Sequence, residues 1–178
     1  MESLVDMVAH AQTAQQVLDK ITKTLELLAK NDKVCQLIQT IPGLGTICSC
    51  RLRATIGDIK RFKNPKDFPA YYGLVPRSIA TGHNEKKGKI THRGDRTMRS
   101  LMVQGAGCVI RLATCGKLKS KQLTKWILKK QKEKMPWGKL VCAVAAKLLR
   151  IVRAILISSK PYNPKIAGVA KCSLSKGS

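Results

Sequence analysis

The chain has 178 residues, 44% of them hydrophobic, which is enough for one ordinary domain with its own core and an appendage. Its 34 lysines and arginines face only 10 acidic residues, and the formal net charge of +24 favours a polyanionic partner, with nucleic acid as the first candidate. The start of the sequence lacks the pattern of a signal peptide, and charged residues within the apolar segment 141–157 exclude it as a membrane span.

The basic residues are unevenly distributed. Residues 1–32 carry three lysines and five acids, a net charge of −2, so the rest of the chain carries +26. Seven cysteines are scattered among apolar residues without a C-x-x-C pair, which favours buried thiols over a zinc site. No metal site is predicted from these residues.

The N-terminal segment has the apolar spacing of a coiled coil. Alternating steps of three and four residues connect Leu4, Met7, Ala11, Ala14, Leu18, Ile21, Leu25 and Leu28. Such spacing over four heptads predicts a coiled-coil-like connector helix within residues 1–32. The flanking e and g positions carry no complementary charges, so the partner can be the chain's own domain or a second copy.

The segment "IPGLGTICSCRLR" places a Pro-Gly turn between two apolar segments that are predicted to be helices. Glycines at positions 43 and 45 tolerate positive φ and would leave N–H groups uncovered at the start of the second helix, where they suit a phosphate oxygen. The predicted DNA contacts here are Gly43, Leu44, Gly45 and Thr46, with Arg51 on the following helix. The alternative is an ordinary tight helical hairpin without a ligand.

The remaining sequence predicts a mainly α-helical domain over residues 33–162. It contains the helix-hairpin-helix element and then a Gly-rich basic segment, residues 79–94, that is a loop or a small hairpin. A helix should begin at Asp95 as its N-cap, and another should cover residues 140–157. A Lys-rich stretch at 117–139 separates them, and the basic tail 163–178 is predicted to be disordered.

Several blocks occur together in an order that resembles a known family. They are "IPGLG", "IGDIKRF", "AYYGLVPR", "TG…GKITHRGDRTMR" and a terminal "PY". Over roughly residues 38–162 they resemble the C-terminal transposase domain of the insertion-sequence one-ten family, the DEDD-type transposases, some of which are guided by a bridge RNA.

The resemblance implies a multimeric recombinase that carries out DNA transposition of an insertion element. It also implies a bacterial cytoplasmic protein that associates with the nucleoid. It implies duplex DNA, a guide RNA in some members, and a second copy or a full-length transposase as partners. In that family a RuvC-like domain holds Mg²⁺ with four carboxylates, and no segment of this sequence matches that domain. The sequence therefore predicts a truncated form that carries no cofactor of its own, and whether it is an enzyme alone is left open.

The resemblance also implies a nucleophile and its surroundings. The family's Ser-Gly dipeptide corresponds to Thr81-Gly82 here, and Ser78 is the second candidate hydroxyl. The predicted basic neighbours that would contact a DNA phosphate are Arg77, Lys89, Arg93, Arg96 and Arg99.

Two other functions fit the composition. One is a non-catalytic helix-hairpin-helix module that binds DNA or regulates transposition. The other is a basic RNA-binding or ribosome-associated protein, for which Tyr71 and Tyr72 form the one adjacent aromatic pair that could stack on bases.

Overall fold

The computed structural model describes residues 2–81, 84–91 and 93–165. Its elements in chain order are α1 (Glu2–Asn31), α2 (Lys33–Gln39), α3 (Thr46–Ile56), a 3₁₀ turn (Ile59–Arg61), α4 (Asp67–Tyr71), β1 (Pro76–Thr81), β2 (Asn84–Ile90), α5 (Arg96–Thr114), α6 (Lys121–Lys132) and α7 (Trp137–Ser158). The predicted mainly α-helical class is confirmed, and the basic segment after α4 forms a small antiparallel hairpin.

Helix α1 is a single 30-residue helix that leaves its apolar stripe uncovered. Leu4, Leu18 and Leu28 are 66%, 57% and 58% exposed, whereas Ala29 is buried. Helix α1 contacts α2 and α3, and the thiol of Cys50 reaches the Leu25 carbonyl. The end of α1 therefore packs on the domain, and the described part of the chain does not cover the stripe itself.

Two long helices build the core, because each has apolar residues at helical spacing. Helix α5 buries Met98, Met102, Ala106 and Val109, and α7 buries residues at four-residue steps that include Leu140, Val144, Leu148 and Val152. Helices α5 and α7 pack on each other, and α6 packs on both. Burying such side chains contributes about 1.5–3 kcal/mol each, so this contact is a main source of stability.

The turn between α2 and α3 lies directly on α5. Gly43 has a φ of +82°, and a Cβ there would lie 2.6 Å from the Gly105 carbonyl oxygen. A Cβ on Gly105 would in turn lie 2.4 Å from the Gly43 carbonyl oxygen. The two backbones therefore touch where only glycine fits, and this contact fixes the start of α3 relative to α5.

Two expectations need revision. Cys35 and Cys48 are buried as predicted, but Cys108 and Cys115 are exposed, because they are seven residues apart and lie on the side of α5 and its C-terminal turn that faces away from the core. The Lys-rich stretch, for which no element was predicted, contains α6. The predicted boundaries of the connector and the domain remain predictions, and residues 166–178 of the tail lie outside the described residues. No helix in the described ranges has the length and apolar character that crossing a membrane requires.

Candidate nucleic-acid interface

The N-terminus of α3 is open to solvent and has no side-chain cap. Its N-cap is Gly45, which is exposed and makes no capping hydrogen bond, and the first backbone bond into the helix runs from Ser49 N–H to the Gly45 carbonyl. The N–H groups of Thr46, Ile47 and Cys48 have no acceptor among the described residues. Uncapped donors at the positive end of a helix dipole form a site that suits an anion.

The four residues predicted at this turn have different environments. Gly43 lies against α5, and Leu44 is 3% exposed and donates its N–H to the Ile41 carbonyl. Gly45 has a φ of −87°, so it does not use the positive φ that the sequence suggested. Gly45 and the half-buried Thr46 therefore remain on the accessible side, while Gly43 and Leu44 hold the turn in place.

Arg51 joins α3 to the start of α5. Its guanidinium donates to one carboxylate oxygen of Asp95 at 2.9 and 3.0 Å, while the other oxygen caps α5 by accepting from the N–H groups of Thr97 and Met98. Burial acts to raise the pKa of Asp95, but the Met98 N–H and Arg51 outweigh it and lower the pKa below its ordinary value. Asp95 stays ionised, so part of the charge of Arg51 is neutralised within the protein.

The two ends of the hairpin are clamped together by backbone contacts. A Cβ on Gly73 would lie 2.2 Å from the Arg93 carbonyl oxygen, and a Cβ on Gly94 would lie 2.1 Å from the Tyr71 carbonyl oxygen. The Thr91 N–H donates to the Val75 carbonyl at 3.1 Å. Close approach at two glycines and one hydrogen bond thus define the base from which β1 and β2 extend.

Arg99 closes this clamp. Its Nη1 donates to the carbonyl oxygens of Tyr72, at 3.2 Å, and Arg93, at 3.1 Å, one on each side of the hairpin base. Sequence reasoning assigned Arg99 to a DNA phosphate, and its partners in the structure are protein carbonyls. The side chains of Arg93 and Arg96 are exposed beside it and free of ion pairs among the described residues.

The candidate hydroxyl residues lie on β1. The Cα of Thr81 pairs with that of Asn84 at the tip of the hairpin, and Ser78 pairs with Lys87 further down. Ser78 and Thr81 are three residue steps, or about 10 Å, apart along the strand, so they offer two distinct places for a nucleophile. The backbones of Arg77, Ser78, Thr81 and Lys89 are described but their side chains are not, and Gly82, His83 and His92 lie outside the described residues.

Only one ring of the aromatic pair that would serve an RNA-binding function reaches the surface, since Tyr71 is 44% exposed and Tyr72 is buried. Tyr72 is fully buried and its hydroxyl lies 2.8 Å from Thr55 Oγ1, while the ring of Tyr71 is covered by the guanidinium of Arg61 at 4.7 Å from its centroid. Burial raises the pKa of Tyr72, consistent with a structural hydroxyl. The two tyrosines therefore do not form a two-ring stacking surface, and the RNA-binding alternative remains a prediction.

The acidic side chains do not fit the magnesium site that the resemblance implies for the whole protein. Asp32, Asp95 and Glu133 pair with Arg53, Arg51 and Lys130 in separate parts of the chain. Over the described ranges, no three His, Cys, Asp or Glu residues lie close enough to hold a metal ion. Two-metal phosphoryl transfer needs converging carboxylates, so these residues do not supply them.

The fold and its basic hairpin define a mainly helical, cation-rich domain, and comparison with known proteins identifies its family. Residues 35–121 match the family model described as Transposase IS116/IS110/IS902 family. The chain is 29% identical over 163 residues to a probable family 20 transposase of Pseudomonas aeruginosa, 32% over 138 residues to the transposase for insertion sequence element IS1111A of Coxiella burnetii, and 34% over 134 residues to the transposase for IS1328 of Yersinia enterocolitica. The chain belongs to the IS116/IS110/IS902 transposase family.

The matches cover most of this chain but a minor part of each relative. They span 92%, 78% and 75% of the chain, and 47%, 37% and 39% of the respective relatives. The chain thus spans less than half the length of these proteins.

The clamp at the hairpin base predicts a difference between two arginines of α5. We expect Arg99→Ala to lower the free energy of unfolding by about 1–2 kcal/mol, because it leaves two carbonyls without their charged donor. Arg96→Ala removes the same charge from an exposed position and should stay within about 0.5 kcal/mol of the parent. Urea unfolding of both variants measures the difference, and equal stabilities would show that Arg99 does not hold the clamp.

Proposed function

We propose that this chain is a DNA-binding part of a transposase and that it grips the phosphate backbone of duplex DNA. The observation that carries the proposal is the uncapped N-terminus of α3 at Gly45, which presents backbone donors to solvent. The relatives named as transposases of insertion sequences support duplex DNA as the ligand. A protein bound in this way would associate with the bacterial nucleoid.

The electrostatics of the surface support the same ligand. Within the described residues three ion pairs engage acidic side chains, and the chain as a whole has 34 lysines and arginines. Each exposed cation that neutralises a phosphate releases a counterion, so binding should weaken steeply with salt and show little sequence preference. A guide RNA offers the same phosphate chemistry and is the alternative polyanion.

Adding a carboxylate at the α3 N-terminus tests this proposal. In Gly45→Asp the new side chain can cap the free N–H groups and repel a phosphate, while the Cβ meets no atom within 4 Å. We expect duplex affinity to fall about tenfold while thermal stability is unchanged or slightly raised. Fluorescence anisotropy with labelled duplex DNA over a salt series measures the affinity.

Gly138→Asp is the matched control. It adds the same charge in the first turn of α7, also at a position without atoms within 4 Å of a Cβ. Equal losses in the two variants would mean that only net charge matters and that the α3 terminus is not a contact. If the parent chain shows no salt-dependent DNA binding, the proposed function itself is wrong.

For strand chemistry, we propose that the hydroxyl of Thr81 acts only together with metal-binding carboxylates from outside these residues. Its oxygen would attack a backbone phosphorus, forming an O–P bond as the bond to a deoxyribose oxygen breaks and that oxygen leaves with a proton. Mg²⁺ held by such carboxylates would stabilise the charge on the phosphate oxygens. The methyl group of threonine restricts approach, which makes serine the better nucleophile at this position.

The chain alone should therefore neither cleave nor join DNA, with or without Mg²⁺. A RuvC-like domain supplied in trans with Thr81→Ser should give the most covalent protein–DNA adduct, measured by denaturing electrophoresis of labelled DNA. An adduct formed by the unmodified chain alone and lost in Thr81→Ala would contradict the required partnership. An adduct lost only in Ser78→Ala would place the nucleophile at the other position, and none under any condition would favour a non-catalytic DNA-binding module.

We also propose that α1 associates with a second copy of the chain or with the same helix of a longer transposase. The stripe from Leu4 to Leu28 is mostly exposed, and the core of the chain is closed without it. Apolar seams of this spacing are buried between helices in stable assemblies.

Leu18→Glu with Ile21→Glu should convert a concentration-dependent dimer into a monomer, because two charges then replace the centre of the stripe. Thr13→Glu with Gln16→Glu adds the same charge on the polar side of α1 and should leave the dimer intact. Sedimentation velocity at several protein concentrations measures the species. A parent chain that remains monomeric at all of them would rule out the self-association.

A further inference from the structure

Helix α6 carries a row of lysines along its outer side. Lys121, Lys125, Lys129 and Lys132 follow one another at steps of four, four and three residues, and all four are exposed. At 1.5 Å per residue the row is about 16 Å long. The opposite side of the helix buries Leu123 and Ile127 completely, so the row points away from the domain.

None of these four lysines forms an ion pair with another described residue. The acid in the stretch 117–139 is Glu133, and its carboxylate is bound to Lys130, which is not part of the row. The hydrogen bond from Lys130 lowers the pKa of Glu133, so this acid stays ionised and committed to that partner. Like charges at four-residue spacing destabilise a helix, and a polyanion along the row would relieve this repulsion.

Helix α6, which carries the row, is held at its N-terminus by hydrogen bonds. The hydroxyl of Ser120 caps α6 at the Leu123 N–H and itself donates to the Pro164 carbonyl. Gln122 donates to the Lys165 carbonyl, so the segment after α7 is tied to the beginning of α6. The lysines are therefore displayed on a rigid support.

The row lies at a different part of the domain from the α3 terminus and the hairpin base. Thr114 at the C-terminal end of α5 accepts a hydrogen bond from Gln131 of α6, whereas the turn before α3 lies on Gly105 and the hairpin base is at the N-terminal end of α5. Along α5 the α6 contact is therefore about 14 Å from the turn before α3 and about 28 Å from the start of the helix. These lengths correspond to about 4 and about 8 base pairs of duplex DNA at 3.4 Å each.

We propose that the α6 row (Lys121, Lys125, Lys129 and Lys132) is a second phosphate-binding surface, for a segment of duplex DNA other than the one at the α3 terminus. It goes beyond the proposed function by giving one domain two separated DNA contacts, and it rests on that function for the identity of the polyanion. A membrane surface does not fit, because the apolar side of α6 is in the core and cannot insert. The ring of Trp126, the aromatic residue of α6, is contacted by Lys147 at 4.4 Å, so the row itself offers charge rather than a free ring for base stacking, which favours a duplex.

The test replaces all four lysines of the row by glutamine, which has a similar helix propensity. The matched control replaces Lys20, Lys23, Lys30 and Lys33, four exposed lysines of α1 and α2, by glutamine. The probe is a duplex of about 30 base pairs, and the quantity measured is the slope of log K against log salt. Each lost phosphate contact should reduce the magnitude of this slope by about 0.9, so the row variant should lose about 3 to 4 in all. The control variant should lose much less. Replacing the four row lysines by arginine should retain binding.

Equal slopes in the row variant and the control would overturn this inference while leaving the α3 contact intact. A parent chain without DNA binding would overturn the proposed function instead, and a row-dependent preference for duplex RNA of the same length would overturn the assignment to DNA.

Discussion

The contact between Gly43 and Gly105 determines where the turn before α3 lies. Neither residue can carry a Cβ, because each would place that atom within 2.6 Å of the other's carbonyl oxygen. Helix α5 therefore serves as the support against which the turn is positioned, and the same helix starts at the hairpin base and ends beside α6. The open α3 terminus, the hairpin and the α6 row have fixed relative positions because all three are attached to α5.

Two of the few acidic residues have structural roles in the fold. Asp32 and Asp95 each cap a helix with one carboxylate oxygen and pair with an arginine through the other. These acids perform fold-building tasks that no cation could perform, since only an acceptor satisfies the N–H groups of a helix start. Some cations also build the fold, as Arg99 and Arg153 do by donating to backbone carbonyls. Many of the other lysines and arginines are exposed, so their charge is available to a partner.

Local signals in the sequence were sufficient for several elements. The heptad spacing predicted α1, and Asp95 was predicted and found as the N-cap of α5. Helix α6 was missed because lysines dominate its composition, so that only the few apolar residues around Leu123 and Ile127 show the period. The role of Arg99 could not be read from sequence, since its carbonyl partner on Tyr72 is 27 residues away and is defined only by the folded chain.

The hairpin is attached to the rest of the domain through contacts at its base. Its base is held by Gly73 and Gly94, by the Thr91–Val75 backbone bond and by Arg99, and all of these lie outside β1 and β2. None of these contacts involves a side chain of β1 or β2. Arg99, which the sequence grouped with Ser78 and Thr81 around a DNA phosphate, donates to carbonyl oxygens on both sides of the hairpin base.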